Sequence, residues 1–554
     1  MISGQSPKPV IVKESCGLPC RLIERFHRMK KSTIFAVLAS VVILSLPSCS
    51  NFDDLKQNKN VSESAPASLL LNNVLFHLHD APFSNNERWC QYFLINYDYY
   101  GNNRYDFGGG DDYYTTLKNV VQMEKEASTL TAGEQTAYKA MAEFLKAYYF
   151  TKMSLEMGNI PMSEALQGVA KLTPKYDTQK AIFQQAFTWL ESANTELASV
   201  IASGQGGISG DFYLGNNLKK WQKLVNTFRL RLLIHLSKKT DDTDLKVKDQ
   251  FAKIIADPTT YPVMTSAADN LAFSYLYPSN LYPNNPGTYG YDALRNNCSD
   301  TYVGLLTQLK DPRVFITCEP AQALVKAGTS PTSFDAFRGA NPGEDLGQMY
   351  AKANNGTYSL LNRYHYYRTY TGEPTLEISY QEMCFNIAEA INRGWITTGA
   401  LGGAEDYYKA GIKASMEYYA IPESGNMSVF YIKQGAGLSD AAPYNSYSVA
   451  VDWNAYYNQS AVKYAGNSAT GLTQILQQRY LALFRHSGLE SYFTYRRTGV
   501  PTFETGPGTG NSEKIPLRFQ YFDTEKTSNT DNYKSALQEY GGNDNINGTM
   551  WILK

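Results

Sequence analysis

Four short segments of the sequence combine tyrosine with asparagine, arginine or tryptophan. They cover residues 97–107, 275–291, 362–370 and 452–457. An aromatic side chain offers a flat apolar face to a sugar ring or a peptide side chain, while amide and guanidinium groups hydrogen-bond hydroxyls and carbonyls. The residues with this chemistry are Tyr97, Tyr99, Tyr100, Asn102, Arg104, Tyr105, Tyr282, Asn284, Tyr366, Arg368 and Trp453. The pattern predicts that one of these segments captures a ligand without altering it.

The segment 97–107 is the preferred candidate. Three consecutive glycines follow it at 108–110, and it lacks apolar periodicity, so its aromatic residues have little reason to be buried. The segment 364–370 is ambiguous, because an alternating strand there would place half of its rings in the core. The chain contains 42 tyrosines, and we expect those in helices to be structural.

Catalysis is the competing class of function. Asp106, Asp111 and Asp112 lie close together in the sequence, and a glycoside hydrolase acts through two carboxylates. Neighbouring carboxylates do not by themselves give the opposed geometry that hydrolysis requires. The sequence also contains no nucleophile elbow, phosphate-binding loop or zinc motif. We therefore expect no catalytic residue, and an adhesin or scaffold is the third alternative.

The histidines and cysteines do not form a cofactor motif. His77 and His79 are a weak pair for a metal, and we expect no metal and no cofactor. The remaining cysteines that could pair show no disulfide framework in their spacing, and in a core of this size they are expected to be small buried apolar residues. They are Cys90, Cys298, Cys318 and Cys384.

The beginning of the sequence predicts export and lipidation. Basic residues from Met29 precede an apolar stretch at 34–46, which is too short to span a bilayer. The stretch ends at 46–49 in Leu-Pro-Ser-Cys, the arrangement of a lipobox. Cys49 is therefore predicted to carry the lipid that anchors the protein to a membrane.

The chain accordingly divides into four parts. We interpret residues 1–28 as the product of an upstream start, 29–48 as the signal peptide, 49–67 as a lipidated tether and 68–554 as a single domain. Removing residues 1–48 leaves 44 Lys and Arg against 50 Asp and Glu, a net charge of about −6. Nucleic acid is excluded as a partner, because an acidic chain lacks the electrostatic attraction for a phosphate backbone.

Hydrophobic periodicity predicts a mostly helical body that positions these segments. Its middle, residues 257–375, is predicted to be loops, turns and short strands that supply a binding face. Successive helical hairpins suggest a tetratricopeptide-like stack. The predicted helices begin at residue 68 and continue at 87–96, 113–127, 133–157, from 177, and at 219–237, 377–393, 405–419 and 472–485.

The order of motifs resembles the SusD/RagB family of outer-membrane lipoproteins over nearly the whole chain after Cys49. The most specific are QRYLALF at 478–484, RRTGVP at 496–501 and IPLRF at 515–519. Met162 stands where the family often has Tyr, and Tyr480 stands where it often has Trp, but both changes preserve bulk. Further matching segments are 52–55, 66–71, 145–150, 158–165, 174–179, 221–231, 382–390, 394–395 and 407–416.

The resemblance implies a helical scaffold that covers a TonB-dependent barrel transporter of the SusC type at the cell surface. Family members bind a glycan or a peptide and pass it inward, and we expect a glycan, with a peptide as the alternative. Asp53 and Asp54 resemble the family's acidic surface-export signal, although a simple polar tether is an alternative reading. Arg496, Arg497 and Arg518 are expected to be structural.

Overall fold

Helices form most of the described structure. The computed structural model describes residues 65–554, so the predicted signal peptide, Cys49 and most of the predicted tether lie outside the described residues. The helices are α1 Ala67–Phe76, α2 Asn85–Trp89, α3 Tyr114–Ala127, α4 Ala132–Met157, α5 Gln179–Ser203, α6 Leu218–His235, α7 Val247–Ala256, α8 Tyr289–Asp292, α9 Asp300–Gln308, α10 Val314–Thr317, α11 Gln322–Lys326, α12 Leu346–Asn354, α13 Arg363–Tyr367, α14 Tyr380–Asn392, α15 Ala404–Tyr418, α16 Trp453–Tyr457, α17 Ala469–Ala482, α18 Glu490–Thr498, α19 Asp523–Ser528 and α20 Thr530–Ala536.

Four pairs of antiparallel strands lie among the helices of the described residues. Within residues 65–554 each sheet has two strands, and the pairs are β1 with β5, β2 with β3, β4 with β6 and β7 with β8. The strands are β1 Phe93–Ile95, β2 Ile160–Pro161, β3 Tyr176–Asp177, β4 Leu271–Phe273, β5 Asn296–Cys298, β6 Thr375–Ile378, β7 Ser424–Ile432 and β8 Tyr444–Asp452. The predicted class, mostly helical with a few short strands, is confirmed.

The helices from α3 to α7 each pack against their neighbours in the chain. The longest of them, α4, begins with a capping box in which Glu134 N–H donates to the Thr131 hydroxyl and Thr131 N–H donates to the Glu134 carboxylate at 3.0 Å. It ends at Gly158, whose positive φ of 95° favours glycine. Its apolar residues are buried on almost every turn, so burial rather than intrinsic propensity stabilises this part of the fold.

A second group of helices, α14, α15 and α17, packs together, and α14 also contacts α6 of the first group. A buried ion cluster joins the two groups: Glu382 on α14 pairs with Arg231 on α6 and, at 2.9 Å, with Arg479 on α17. Removing one member of such a cluster leaves an uncompensated buried charge, which is strongly destabilising. The cluster therefore fixes the relative position of the two helical groups.

Three arginines of the family-like motifs lie in the core, as expected. Arg496 donates to the carbonyl of Leu155 at 2.7 Å, and Arg497 pairs with the buried Glu389. Arg518 pairs with Asp544 at 2.6 Å. Their guanidinium groups satisfy buried carbonyls and carboxylates.

The structure departs from the sequence-based prediction in several places. Residues 257–375, predicted to be loops, turns and short strands, contain the six helices α8 to α13, because tertiary contacts bury residues in most of these short segments. The helix predicted over 87–96 ends at Trp89, because the chain turns at Gln91, with a φ of 54°, and enters β1. Residues 363–367 form the short helix α13, so the alternating strand considered as one alternative for 364–370 is not formed. The long hairpin of β7 and β8 was not predicted. In the described part of the chain, no helix combines the length and apolar character needed to cross a membrane.

Candidate functional site

The loop after β1 carries the predicted tyrosines to the surface. Asn103 closes the loop, because its side chain accepts from the backbone N–H of Ile95 at 2.9 Å and donates to the Ile95 carbonyl at 2.8 Å. Gly101, at a φ of 119°, provides a backbone conformation that other residues rarely adopt. Between Ile95 and Gly101 lies one turn of 3-10 helix, Asp98–Tyr100. It leaves Tyr99 81% exposed.

Residues from two distant segments complete an aromatic surface around this turn. The ring of Tyr97 stacks on that of Tyr350 from α12, with centroids 5.3 Å apart and planes 28° apart. The guanidinium carbon of Arg295 lies 4.7 Å from the Tyr97 centroid and 5.9 Å from the Tyr350 centroid. The Tyr99 and Tyr100 rings meet edge to face at 5.1 Å. We call these five residues the Tyr97 surface.

The Tyr97 surface combines aromatic rings with a group of hydrogen-bond donors. Its rings provide flat apolar faces, and a guanidinium group offers several fixed N–H donors for hydroxyls or carbonyls. The cation–π contacts hold the Arg295 guanidinium group against the rings. Stacking of Tyr97 on Tyr350 limits the freedom of both side chains, so less conformational entropy is lost when a ligand binds.

Asn102 and Arg104 lie on the same loop, and both are exposed. The Asn102 side chain accepts from the Arg104 backbone N–H at 2.9 Å, and the Arg104 guanidinium pairs with Asp106. This hydrogen bond from Arg104 lowers the pKa of Asp106. Asp106 also accepts from the backbone N–H of Asn511 at 3.0 Å. The Asp106 carboxylate is therefore a support for the loop and lacks the raised pKa of a general acid.

The prediction that Tyr105 binds ligand is wrong. Tyr105 is 1% exposed, and its hydroxyl donates to the carbonyl of Trp89 at 2.9 Å. Phe107, two residues later, stacks on Phe519 with centroids 4.0 Å apart. The second half of the loop thus turns alternate aromatic side chains inward, where they join the core.

Three other candidates are also buried and are removed from the binding surface. Tyr282 and Tyr366 are both 0% exposed, and their rings each lie 5.9 Å from that of Phe83. Asn284 is 1% exposed and donates to the hydroxyl of Tyr367 at 2.7 Å. The aromatic residues of these segments pack against one another, which buries the amide between them.

Arg368 and Trp453 lie near the surface, but each contacts aromatic residues outside the Tyr97 surface. The guanidinium of the exposed Arg368 is 4.3 Å from the ring centroid of Tyr364 and donates to its hydroxyl at 2.8 Å. The half-buried Trp453 stacks on Tyr457 at 5.4 Å, with the Lys413 ammonium 5.0 Å from its ring. Trp453 lines an open groove of about 580 Å³ with Lys413 and Tyr457.

Two members of the Tyr97 surface, Arg295 and Tyr350, were missed by sequence analysis. Arg295 follows the segment 275–291 and Tyr350 lies outside all four segments, and only folding brings them to Tyr97. A second exposed aromatic pair, Tyr277 and Tyr370, lies with ring centroids 5.2 Å apart. Both residues fall within the predicted segments, but neither was singled out.

The weak histidine pair is explained by local contacts. The His79 Nδ1 atom lies 2.9 Å from the Glu377 carboxylate, and its Nε2 atom lies 3.0 Å from the Tyr275 hydroxyl. Both ring nitrogens are therefore engaged with protein groups. Among residues 65–554, no three His, Cys, Asp or Glu side chains come together as a potential metal site.

Comparison with known proteins identifies a family and several solved structures that are similar to this chain. A family model described as SusD-like, starch-binding and associating with the outer membrane matches residues 58–522. No curated protein matches the chain. Among solved structures, a SusD homologue from Bacteroides fragilis NCTC 9343 is 31% identical, with a TM-score of 0.75 over 88% of this chain and 100% of that chain.

Two further structures are similar over 88% of this chain. A candidate outer-membrane nutrient-binding protein from Bacteroides vulgatus ATCC 8482 is 28% identical, is covered over 100% of its length and gives a TM-score of 0.73. A chitin-binding SusD homologue from Flavobacterium johnsoniae is 21% identical, is covered over 98% and gives a TM-score of 0.63, so it supports the fold alone. Since the family model covers most of the sequence, the chain belongs to the SusD-like family of outer-membrane nutrient-binding proteins, which are not enzymes.

Proposed function

We propose that this chain is a lipoprotein exposed at the cell surface, anchored through Cys49, that captures a glycan and delivers it to a TonB-dependent transporter of the SusC type. The Tyr97 surface carries the proposal, because it groups contacting aromatic rings, of which Tyr99 and Tyr350 are exposed, with a guanidinium group beside them. The starch-binding description of the family favours a polysaccharide or oligosaccharide over a peptide.

The Tyr97 surface suits a glycan in its shape and in its charge. Tyr99 is the most exposed ring of this surface, while Tyr97 and Tyr350 stack on each other and limit each other's movement. Arg295 can donate to hydroxyl groups at the rim of a sugar ring that rests on this surface. A positive charge beside the rings also accommodates an acidic sugar, so uronic acids belong among the ligands to be tested.

The experiment measures binding of residues 65–554, which form one compact unit, to starch, chitin oligosaccharides, other neutral and acidic glycans and a peptide library by calorimetry. Tyr99→Ala and Tyr350→Ala each remove a ring from the Tyr97 surface. An aromatic contact contributes about 0.5–1.5 kcal/mol, so we expect the association constant for the glycan to fall roughly 2- to 12-fold in each variant.

Tyr277→Ala is the matched control, because Tyr277 is 66% exposed and belongs to the other exposed aromatic pair. It should leave glycan binding unchanged. Loss of binding in the control but not in the Tyr97 surface variants would move the site to the pair of Tyr277 and Tyr370. Saturable binding to peptides alone would reject the glycan and support the alternative ligand class.

Delivery to a transporter is tested separately in the cell. The tagged protein, purified from outer membranes in mild detergent, should bring with it a barrel protein of the TonB-dependent class, identified by mass spectrometry. Uptake of the bound glycan should then require both proteins. Uptake that persists without this chain would contradict the delivery step while leaving glycan capture intact.

A further inference from the structure

Two of the four cysteines in the described chain face each other in the core. Cys298 ends β5 and Cys318 follows α10, and each side chain is fully buried. Their Sγ atoms are 2.9 Å apart. Cys90 and Cys384 are also buried, but they contact other groups. The spacing of the cysteines in the sequence did not predict this pair.

Backbone hydrogen bonds hold the two cysteines on either side of one extended segment. The N–H of Cys298 donates to the carbonyl of Ser359 at 2.9 Å. On the other side, the N–H of Glu319 donates to the carbonyl of Leu360 at 2.8 Å, and Cys318 forms a bridge with Leu361. Both cysteines are therefore held beside the same backbone segment, residues 359–361.

The separation of the sulfurs favours a covalent bond over two free thiols. Carbon atoms that are not bonded pack at about 3.5–4.0 Å, and sulfur is larger than carbon, whereas the sulfurs of a disulfide are about 2.05 Å apart. The observed distance lies between these limits, so the fold brings the thiols closer than ordinary packing. The family's association with the outer membrane means that the chain crosses the periplasm, an oxidising compartment in which disulfides form and persist.

We propose that Cys298 and Cys318 are joined by a disulfide bond in the exported protein. One S–S bond forms between them, and the two thiols lose two protons and two electrons. The oxidant is the disulfide form of an envelope thiol–disulfide oxidoreductase, whose own S–S bond breaks and takes up the same protons and electrons to become a dithiol. The reaction passes through a mixed disulfide, which the second cysteine thiolate resolves.

Burial fixes when this reaction takes place. Burial, followed by the neighbouring sulfur of Cys318, raises the pKa of the Cys298 thiol. The thiolate is the attacking species in disulfide exchange, and the folded core excludes an oxidising enzyme. The bond therefore forms while the chain is folding, before β5 is covered.

The disulfide would stabilise the strands β1 and β5 that lie next to the Tyr97 surface. It closes a loop that includes α9 and the buried ion pair of Asp311 and Arg313. Cys298 also lies in the strand that follows Arg295 directly, and this strand pairs with β1, which leads to Tyr97. A covalent link at Cys298 thus limits movement of both segments that meet at the aromatic surface.

Peptide mapping of the full chain tests the proposal directly. The protein is exported with its own signal sequence, extracted in detergent, denatured with an alkylating reagent and digested with trypsin without reduction. Trypsin separates Cys298, in the peptide 296–310, from Cys318, in the peptide 314–326. We expect these peptides to appear as one linked species, two hydrogens lighter than their sum, that separates on reduction.

Two variants act as controls. Cys318→Ala should abolish the linked species and leave Cys298 open to alkylation, while Cys384→Ala, at a buried thiol outside the pair, should leave the link intact. Wild-type protein should also show a lower Tm after reduction, and Cys318→Ala should not respond to the reductant. Full alkylation of both peptides in exported wild-type protein, or linkage of either to Cys90 or Cys384, would overturn the proposal.

Discussion

At the scale of single residues, Glu377 is a buried acid whose charge has little support from its surroundings. Its Oε1 atom lies 2.9 Å from His79 Nδ1 and accepts from the Asp80 N–H at 3.2 Å. Its Oε2 atom has no hydrogen-bond partner within residues 65–554. Burial raises the pKa of Glu377 to about 7, against the lowering effect of His79.

The stability of the protein should therefore depend on pH through Glu377. The folded chain holds the proton below pH of about 7, whereas the unfolded chain holds it only below a pH near 4.5. The resulting stability is fully present below pH 4.5 and is lost as pH rises to 7. Relative to Glu377→Gln, the wild type should lose on the order of 1–3 kcal/mol over this window, measured by urea unfolding at several pH values.

Glu417→Gln is the control for this experiment, because Glu417 is exposed on α15. It should leave the pH dependence of wild type almost unchanged. Parallel curves for wild type and Glu377→Gln between pH 4.5 and 7 would show that Glu377 does not titrate in this range in the folded protein.

The residue scale also shows what the sequence could predict about the site. Tyr97, Tyr99 and Tyr100 were predicted correctly to lie near the surface, from the glycines that follow the segment and its lack of apolar periodicity. Tyr105 follows the same local rules but is buried by contacts with Trp89 and its neighbours, which are set by tertiary packing. Arg295 could not be found from the sequence, since its role depends on pairing of β5 with β1, about 200 residues apart.

At the scale of elements, the long helices were predictable and the short strands were not. A helix repeats its apolar residues within a few positions, so its signal is local. Strands β1 and β4 have three residues each and pair with remote segments, so no local pattern marks them. The hairpin of β7 and β8 did carry a signal, because Met427, Val429 and Tyr431 alternate inward along β7.

The packing between α14 and α15 leaves no room for a side chain at Gly411. A Cβ atom there would lie 2.7 Å from the ring of Phe385, closer than carbon atoms pack. Alanine favours an isolated helix over glycine by about 1 kcal/mol, but overpacking typically costs 1–3 kcal/mol. We expect Gly411→Ala to lower the free energy of unfolding by up to about 2 kcal/mol, the difference between these two effects, measured by urea denaturation.

Gly304→Ala tests the same substitution in α9 without the clash. The nearest atoms to its added Cβ belong to the Asp300 side chain at 3.5 Å, an ordinary contact. This variant should be neutral or more stable by up to about 1 kcal/mol. If Gly411→Ala behaved in the same way, the close packing of α15 on Phe385 would be incorrect.

At the scale of the whole molecule, residues near the C-terminus form hydrogen bonds with the end of α4 and the start of α5. Arg518 donates to the carbonyl of Met157 at the end of α4. The N–H of Ile552 donates to Gln179 at the start of α5 at 3.0 Å, and Gln179 in turn donates to the carbonyl of Ser154. Segments far apart in sequence therefore share one set of buried hydrogen bonds, which favours unfolding of the described body as one unit.

Asp544→Ala tests this cooperativity. Asp544 pairs with the fully buried Arg518 at 2.6 Å, so its loss leaves a buried guanidinium without its carboxylate, at a cost of about 3–5 kcal/mol. In the control Asp523→Ala, the lost carboxylate is 94% exposed, and the change in the free energy of unfolding should be below about 1 kcal/mol.

Circular dichroism and tryptophan fluorescence should report the same shifted urea transition for Asp544→Ala, because the C-terminal contacts and the helical core depend on each other. Early loss of one signal while the other keeps the wild-type midpoint would mean that the C-terminal segment unfolds independently of α4 and α5.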